Sequence, residues 1–172
     1  MNKNHPTDHG DEVARNTLTN LLSQQQSAIL STANADASPL ASYAPFVTDS
    51  DRNFYIFTSM LSHHTANLLR TGHASVMLIA DESETVQNFA RSRVTYSCAV
   101  QEITRDGDTW HTAARLYEKR FVEMFKLLCG LSDFRMFKLT PQSGTLVVGF
   151  GAAYTLHGDG VSQLVLRDRR KR

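Results

Sequence analysis

The run Ala28–Thr58, AILSTANADASPLASYAPFVTDSDRNFYIFT, holds three short apolar stretches separated by turn-forming residues. Ala28–Ala33, Leu40–Val47 and Phe54–Thr58 read as strands, rich in β-branched and aromatic residues. The connections Asn34–Pro39 and Asp49–Asn53 have hairpin length and are too short for the crossover that joins parallel strands. The sheet that begins here is therefore antiparallel.

Working outward, the same grammar continues. Val13, Thr17, Leu18, Leu21 and Leu22 recur at helical spacing ahead of the first strand. After the third strand, Ser62 can cap a short helix that runs to Leu69 and closes at Gly72. Ser75–Ala80 is a fourth strand, followed by a polar excursion over Asp81–Ala90. Arg93–Thr104 is long enough to serve two sheets of a barrel. Asp108 is the expected cap of the strongest helix, in which Trp110, Ala113, Ala114, Tyr117, Phe121, Met124, Phe125 and Leu128 form a core-facing stripe up to Gly130. Phe134–Leu139, Thr145–Phe150, Ala153–Leu156 and Val161–Leu166 complete an antiparallel run. The predicted class is mainly β with peripheral α-helices: an antiparallel split β-barrel over residues 12–166, with a flexible tail at 1–11 and a basic tail at 167–172.

The chain has 172 residues, 41% of them hydrophobic and 20% charged, enough for one packed domain without staples. The net charge of +1 is uneven. The last six residues carry +4, so the rest is acidic at −3. Five basic residues without interleaved aromatics describe a solvated end rather than a nucleic-acid surface. Cys98 and Cys129 form no CxxC or zinc spacing and read as reduced, packed thiols. No apolar run reaches membrane-spanning length and Met1–Gly10 lacks a signal peptide's apolar core, so a soluble cytoplasmic protein is expected.

No Walker loop, GxGxxG, GxSxG or HExxH occurs. Gly149-Phe150-Gly151 reads as a bend between strands. Ser59 and Ser62-His63-His64, with Asn67 a turn later, sit at a helix start, where unpaired N–H groups suit a phosphate or carboxylate. The plainer alternative is a capping segment with exposed histidines. Arg91 and Arg93 lead into the long strand with forks suited to anions, or else pair with Asp81, Glu82 or Glu84. Asp133 begins a later strand and could be an ordinary turn residue.

The order of SYAPF (42–46), FYIFTS (54–59), the Ser/His helix start, SVMLIADE (75–82), FARSRVTY (89–96), GLSDFRMFKLTP (130–141) and GTLVVGFGAAY (144–154) resembles the FMN-binding split barrels of the pyridoxamine 5′-phosphate oxidase superfamily. Over residues 13–160 it is most similar to their haem-utilisation, HugZ/HutZ-type branch. The resemblance implies a homodimer whose small-molecule cofactor lies between protomers, with haem as the ligand. It places Ser62-His63-His64 where flavin enzymes carry a Ser-Arg-Lys phosphate site, pairs His64 with Asn67 as in the haem branch, and matches Asp133 to an Asp that supports the haem ligand. The haem branch takes its proximal ligand from a C-terminal His; here Arg169 and Arg170 stand in that tail, suited to haem propionates, and His157, the last histidine, is the fallback iron ligand. Three functions are carried forward: haem binding with possible oxidative degradation, an FMN-dependent oxidoreductase, and a non-catalytic binding or storage protein.

Overall fold

The computed structural model describes residues 6–167. Eight strands and three helices follow in the order α1 (Pro6–Gln24), β1 (Ser27–Ala33), β2 (Pro39–Thr48), β3 (Phe54–Ser59), α2 (His63–Thr71), β4 (His73–Ile79), β5 (Arg93–Ile103), α3 (Asp108–Cys129), β6 (Phe134–Gly149), β7 (Ala152–His157) and β8 (Gln163–Leu166). All pairings are antiparallel, in the order β3-β2-β1-β4-β5-β6-β7-β8. A further ladder joins β3 to β6, closing six strands into a barrel and leaving β7 and β8 as an extension.

Four local expectations change. α1 begins at Pro6, inside the stretch read as a tail; proline suits a first helical turn because its missing N–H has no intrahelical partner there. Asp108 is the first helical residue of α3, and Gly107 holds the extended cap position. Phe134–Leu139 and Thr145–Gly149 belong to one strand, and Phe150 lies in the turn after it. Cys98 pairs with Pro141 and Ser97 with Ser143, so Gln142 is an extra residue, and this bulge lets a proline without a donor pass through the ladder. Finally, Met124 leaves the core stripe and faces outward, because Phe121 departs from helical geometry (φ −132°, ψ 39°) and breaks the phase of α3.

Alternation along the strands sends one set of side chains inward. Phe46, Phe54, Tyr96, Phe137, Leu139 and Leu146 fill the barrel, joined by Ala14, Leu18 and Leu21 of α1 and Leu68 of α2. Each such Phe or Leu side chain stabilises the fold by about 1.5–3 kcal/mol through burial. Cys98 is buried among them, and desolvation pushes its thiol up to about 12. A second core lies outside the barrel, where α3 sets Ala113, Ala114, Tyr117 and Phe125 on Val47, Tyr55, Phe57 and Met136. Tyr117 donates its hydroxyl hydrogen bond to the Tyr55 carbonyl at 3.0 Å.

The rest of the outer sheet surface has no described helix over it. Cross-strand partners align there in rows. Tyr43, Ile29, Met77, Thr95, Thr145, Thr155 and Val165 form one. Ala41, Ser31, Ser75, Ser97 and Ser143 form the next, on one side of it, and Ile79, Arg93, Val147 and Ala153 the third, on the other. Tyr43 is 65% exposed.

Candidate functional site

At the β3–α2 junction the chain leaves the barrel wall and turns into a helix. Ser62 is extended (φ −82°, ψ 128°) and caps α2 without a side-chain bond, while Gly72 ends it in the left-handed region (φ 64°). That conformation costs an L-residue about 1–2 kcal/mol and explains the glycine. Thr65 donates its hydroxyl to the Ser59 carbonyl at 2.7 Å and lies 3.1 Å from Thr58 Oγ1. His64 is buried, with Nε2 2.6 Å from Thr58 Oγ1, and desolvation lowers its pKa, which keeps the ring neutral. Asn67, also buried, donates to Thr32 Oγ1 and Asn34 Oδ1, both at 3.0 Å, and accepts from Arg70 at 3.1 Å. Ser59 donates to Asp133 Oδ2 at 2.5 Å, and the Met60 N–H donates to the Asp133 carbonyl at 2.9 Å. One hydrogen-bonded knot thus gathers Ser59, Ser62, His64 and Asp133, and Asn67 separately ties α2 to Thr32 and Asn34. His63 stands exposed on its rim.

Arg91 and Arg93 lie elsewhere. β4 begins at His73, directly after α2, and ends at Ile79 opposite Arg93, so about 20 Å of strand separates that arginine from the C-terminus of α2. Arg91 donates through Nε to the Ala80 carbonyl at 2.7 Å and pairs through one terminal nitrogen with Glu82 at 3.3 Å. Arg93 donates to the Arg91 carbonyl at 2.9 Å. Beside Arg91 is a cavity of about 230 Å³ lined by Tyr43, Ile29, Met77, Ile79 and Asp81 among others. It opens on the uncovered sheet face.

The structure therefore divides the sequence-predicted residues into two groups that one chain does not unite. His157 is exposed at the end of β7, and Arg169 and Arg170 lie outside the described residues. Among the described residues, no group of three or more His, Cys, Asp or Glu could hold a metal ion. Sequence reasoning passed over Thr58, Thr65, Thr32 and Asn34, the partners that fix His64 and Asn67. The signal for Thr32 and Thr58 was their inward position in alternating strands.

Residues 15–148 match the family model described as pyridoxamine 5′-phosphate oxidase, and the chain belongs to that family of split barrels. Within it, the chain is of the HutZ type. It is 36% identical over 136 residues to heme oxygenase HutZ of Vibrio cholerae, covering 79% of this chain and 77% of that one. The crystal structure of HutZ from the same species, described there as a heme storage protein, superimposes with a TM-score of 0.71 at 30% identity over 75% of this chain and 90% of that one. Campylobacter jejuni ChuZ shares the fold, with a TM-score of 0.79 at 24% identity over 99% of this chain and 68% of that one. No described helix is long and apolar enough to cross a membrane.

Proposed function

We propose that this chain is a cytoplasmic haem-binding protein of haem utilisation, which holds its ligand between two copies of itself and degrades it oxidatively. The observation that carries the reading is the 36% identity to a heme oxygenase over most of both chains.

The geometry supports a shared site. The α2 knot and the arginine shelf belong to opposite ends of one molecule. A two-fold interface presents the same patch on both partners in opposite directions, so it sets one end of each copy beside the other end of its mate. The uncovered sheet face suits such an interface. Its serine row lets two sheets approach closely, and packed sheets lie about 10 Å apart.

The residues present fit a flat macrocycle with two carboxylates. Arg91 and Arg93 offer guanidinium forks to the carboxylates, and Tyr43, Ile29 and Met77 offer an apolar row to the ring. Exposed His63, at the rim of the α2 knot, and exposed His157 are two imidazoles open to iron, with Arg169 and Arg170 as further partners for propionates. His64 is committed to Thr58 and positions α2. Bound haem supplies the iron chemistry with O₂ and a reductant; the chain binds, orients and shields it.

The family match favours FMN as the second reading. Against it, α2 opens on histidines, and Ser59 already carries the Asp133 carboxylate, which repels a phosphate.

Titrating the purified protein with hemin, and separately with FMN, tests the reading. A saturating Soret band at low micromolar haem is expected, and its loss with O₂ and a reductant marks degradation rather than storage. Ser97→Arg, in the middle of the serine row, is expected to give a folded monomer by sedimentation that binds haem poorly. Absence of a Soret band, or tight FMN binding in its place, overturns the haem reading; a dimer unaffected by Ser97→Arg overturns the interface.

A further inference from the structure

Arg91 and Glu82 make an unequal pair. The Arg91 side chain is 23% exposed and held from behind, where Nε donates to the Ala80 carbonyl at 2.7 Å. The Glu82 side chain is 66% exposed, accepts from Arg91 at 3.3 Å, and is otherwise held by the Asn88 amide at 3.2 Å. The cation is preorganised and its partner is replaceable. An exposed pair of this kind contributes little to stability, so a competing anion can break it.

The neighbouring carboxylate behaves differently. Asp81, which lines the cavity beside Arg91, accepts from the Ser83 hydroxyl at 2.7 Å and its N–H at 2.8 Å, and these bonds lower its pKa. It stays charged and in place. Arg91 therefore stands between a fixed carboxylate and a movable one, and an incoming anion gains full use of the guanidinium only when Glu82 withdraws.

We propose that Glu82 is a built-in competitor for the ligand's anionic group at Arg91, setting the affinity threshold and favouring ligands that bring a carboxylate or phosphate to that guanidinium. The inference rests on the shared-site reading above. In the ligand-free protein Glu82 satisfies Arg91; on binding, the ligand's anion replaces it and Glu82 returns to water.

The test is a set of titrations on the full chain with hemin, hemin dimethyl ester and FMN, for wild type, Glu82→Gln, Arg91→Gln and the double variant. Glu84→Gln serves as a control that removes the same charge nearby. Glu82→Gln is expected to tighten hemin about threefold to fivefold, to leave the dimethyl ester unchanged, and to lose its effect when Arg91 is absent. Glu84→Gln is expected to change nothing. If FMN alone binds and shows this pattern, Glu82 competes with a phosphate and the haem reading fails by itself. Equal hemin affinity in wild type and Glu82→Gln, an equal gain with the ester or with Glu84→Gln, or a gain that survives Arg91→Gln overturns the proposal while leaving haem binding intact. No binding of any of the three overturns both.

Discussion

The β3–α2 junction and the arginine shelf are both polar, and both looked like anion sites, yet they are built on opposite principles. At the junction Thr58, His64, Thr65 and Asn67 are buried and spend their hydrogen bonds on one another or on the barrel wall. At the shelf Arg91 keeps a solvent-facing partner that can leave. Buried polar groups are costly to leave unpaired, so the first arrangement holds a helix in place. An exposed ion pair contributes little to stability, so the second is free to serve a ligand.

Asn67→Ala puts the contrast under the greatest strain. It strips buried Thr32 and part-buried Asn34 of their donor and is expected to cost about 2–4 kcal/mol in chemical denaturation. A loss below about 0.5 kcal/mol would make the junction an ordinary surface.

A smaller effect is expected from pH. The folded pKa of His64 lies below its ordinary 6.5, so as pH falls through 6.5 the unfolded chain takes up the proton first. Stability then drops until the folded pKa is passed, and above 6.5 His64 contributes no slope. Thermal melts between pH 5 and 8 are expected to show this fall in wild type and a shallower one in His64→Gln. Parallel curves would mean that His64 is not kept neutral by the fold.

The smallest change sharpens the other side. Arg91→Gln is expected to shift stability by no more than about 0.5 kcal/mol while weakening hemin binding. A large loss of stability would move Arg91 into the scaffold.

Much of this was readable in the chain. Alternation and turn residues located β1 to β4, and Ser62 and Gly72 bracketed α2 because caps are local chemistry. What escaped depends on partners distant in sequence. Gln142 bulges because β5 supplies a neighbour with one residue fewer, which no local pattern at Pro141 reveals. His64 and Arg93 both adjoin strand ends, and only the length of β4 shows that they lie apart. His64 read as a cofactor-binding residue, and its partner Thr58 carries no motif, only an inward position that becomes meaningful once α2 closes over it.

The single long strand β6 also governs the order of events at the ribosome. Phe54–Ser59 completes its pairing only with Phe134–Leu139, about eighty residues further along the chain. At roughly 5–20 residues per second, β3 has a bare edge for about 4–16 s of synthesis. Phe54, Tyr55, Ile56 and Phe57, all buried in the finished protein, lie along that edge, and such an apolar margin invites pairing with another chain. The window in which a chaperone earns its keep on this protein opens when β3 is made and closes when Leu139 emerges.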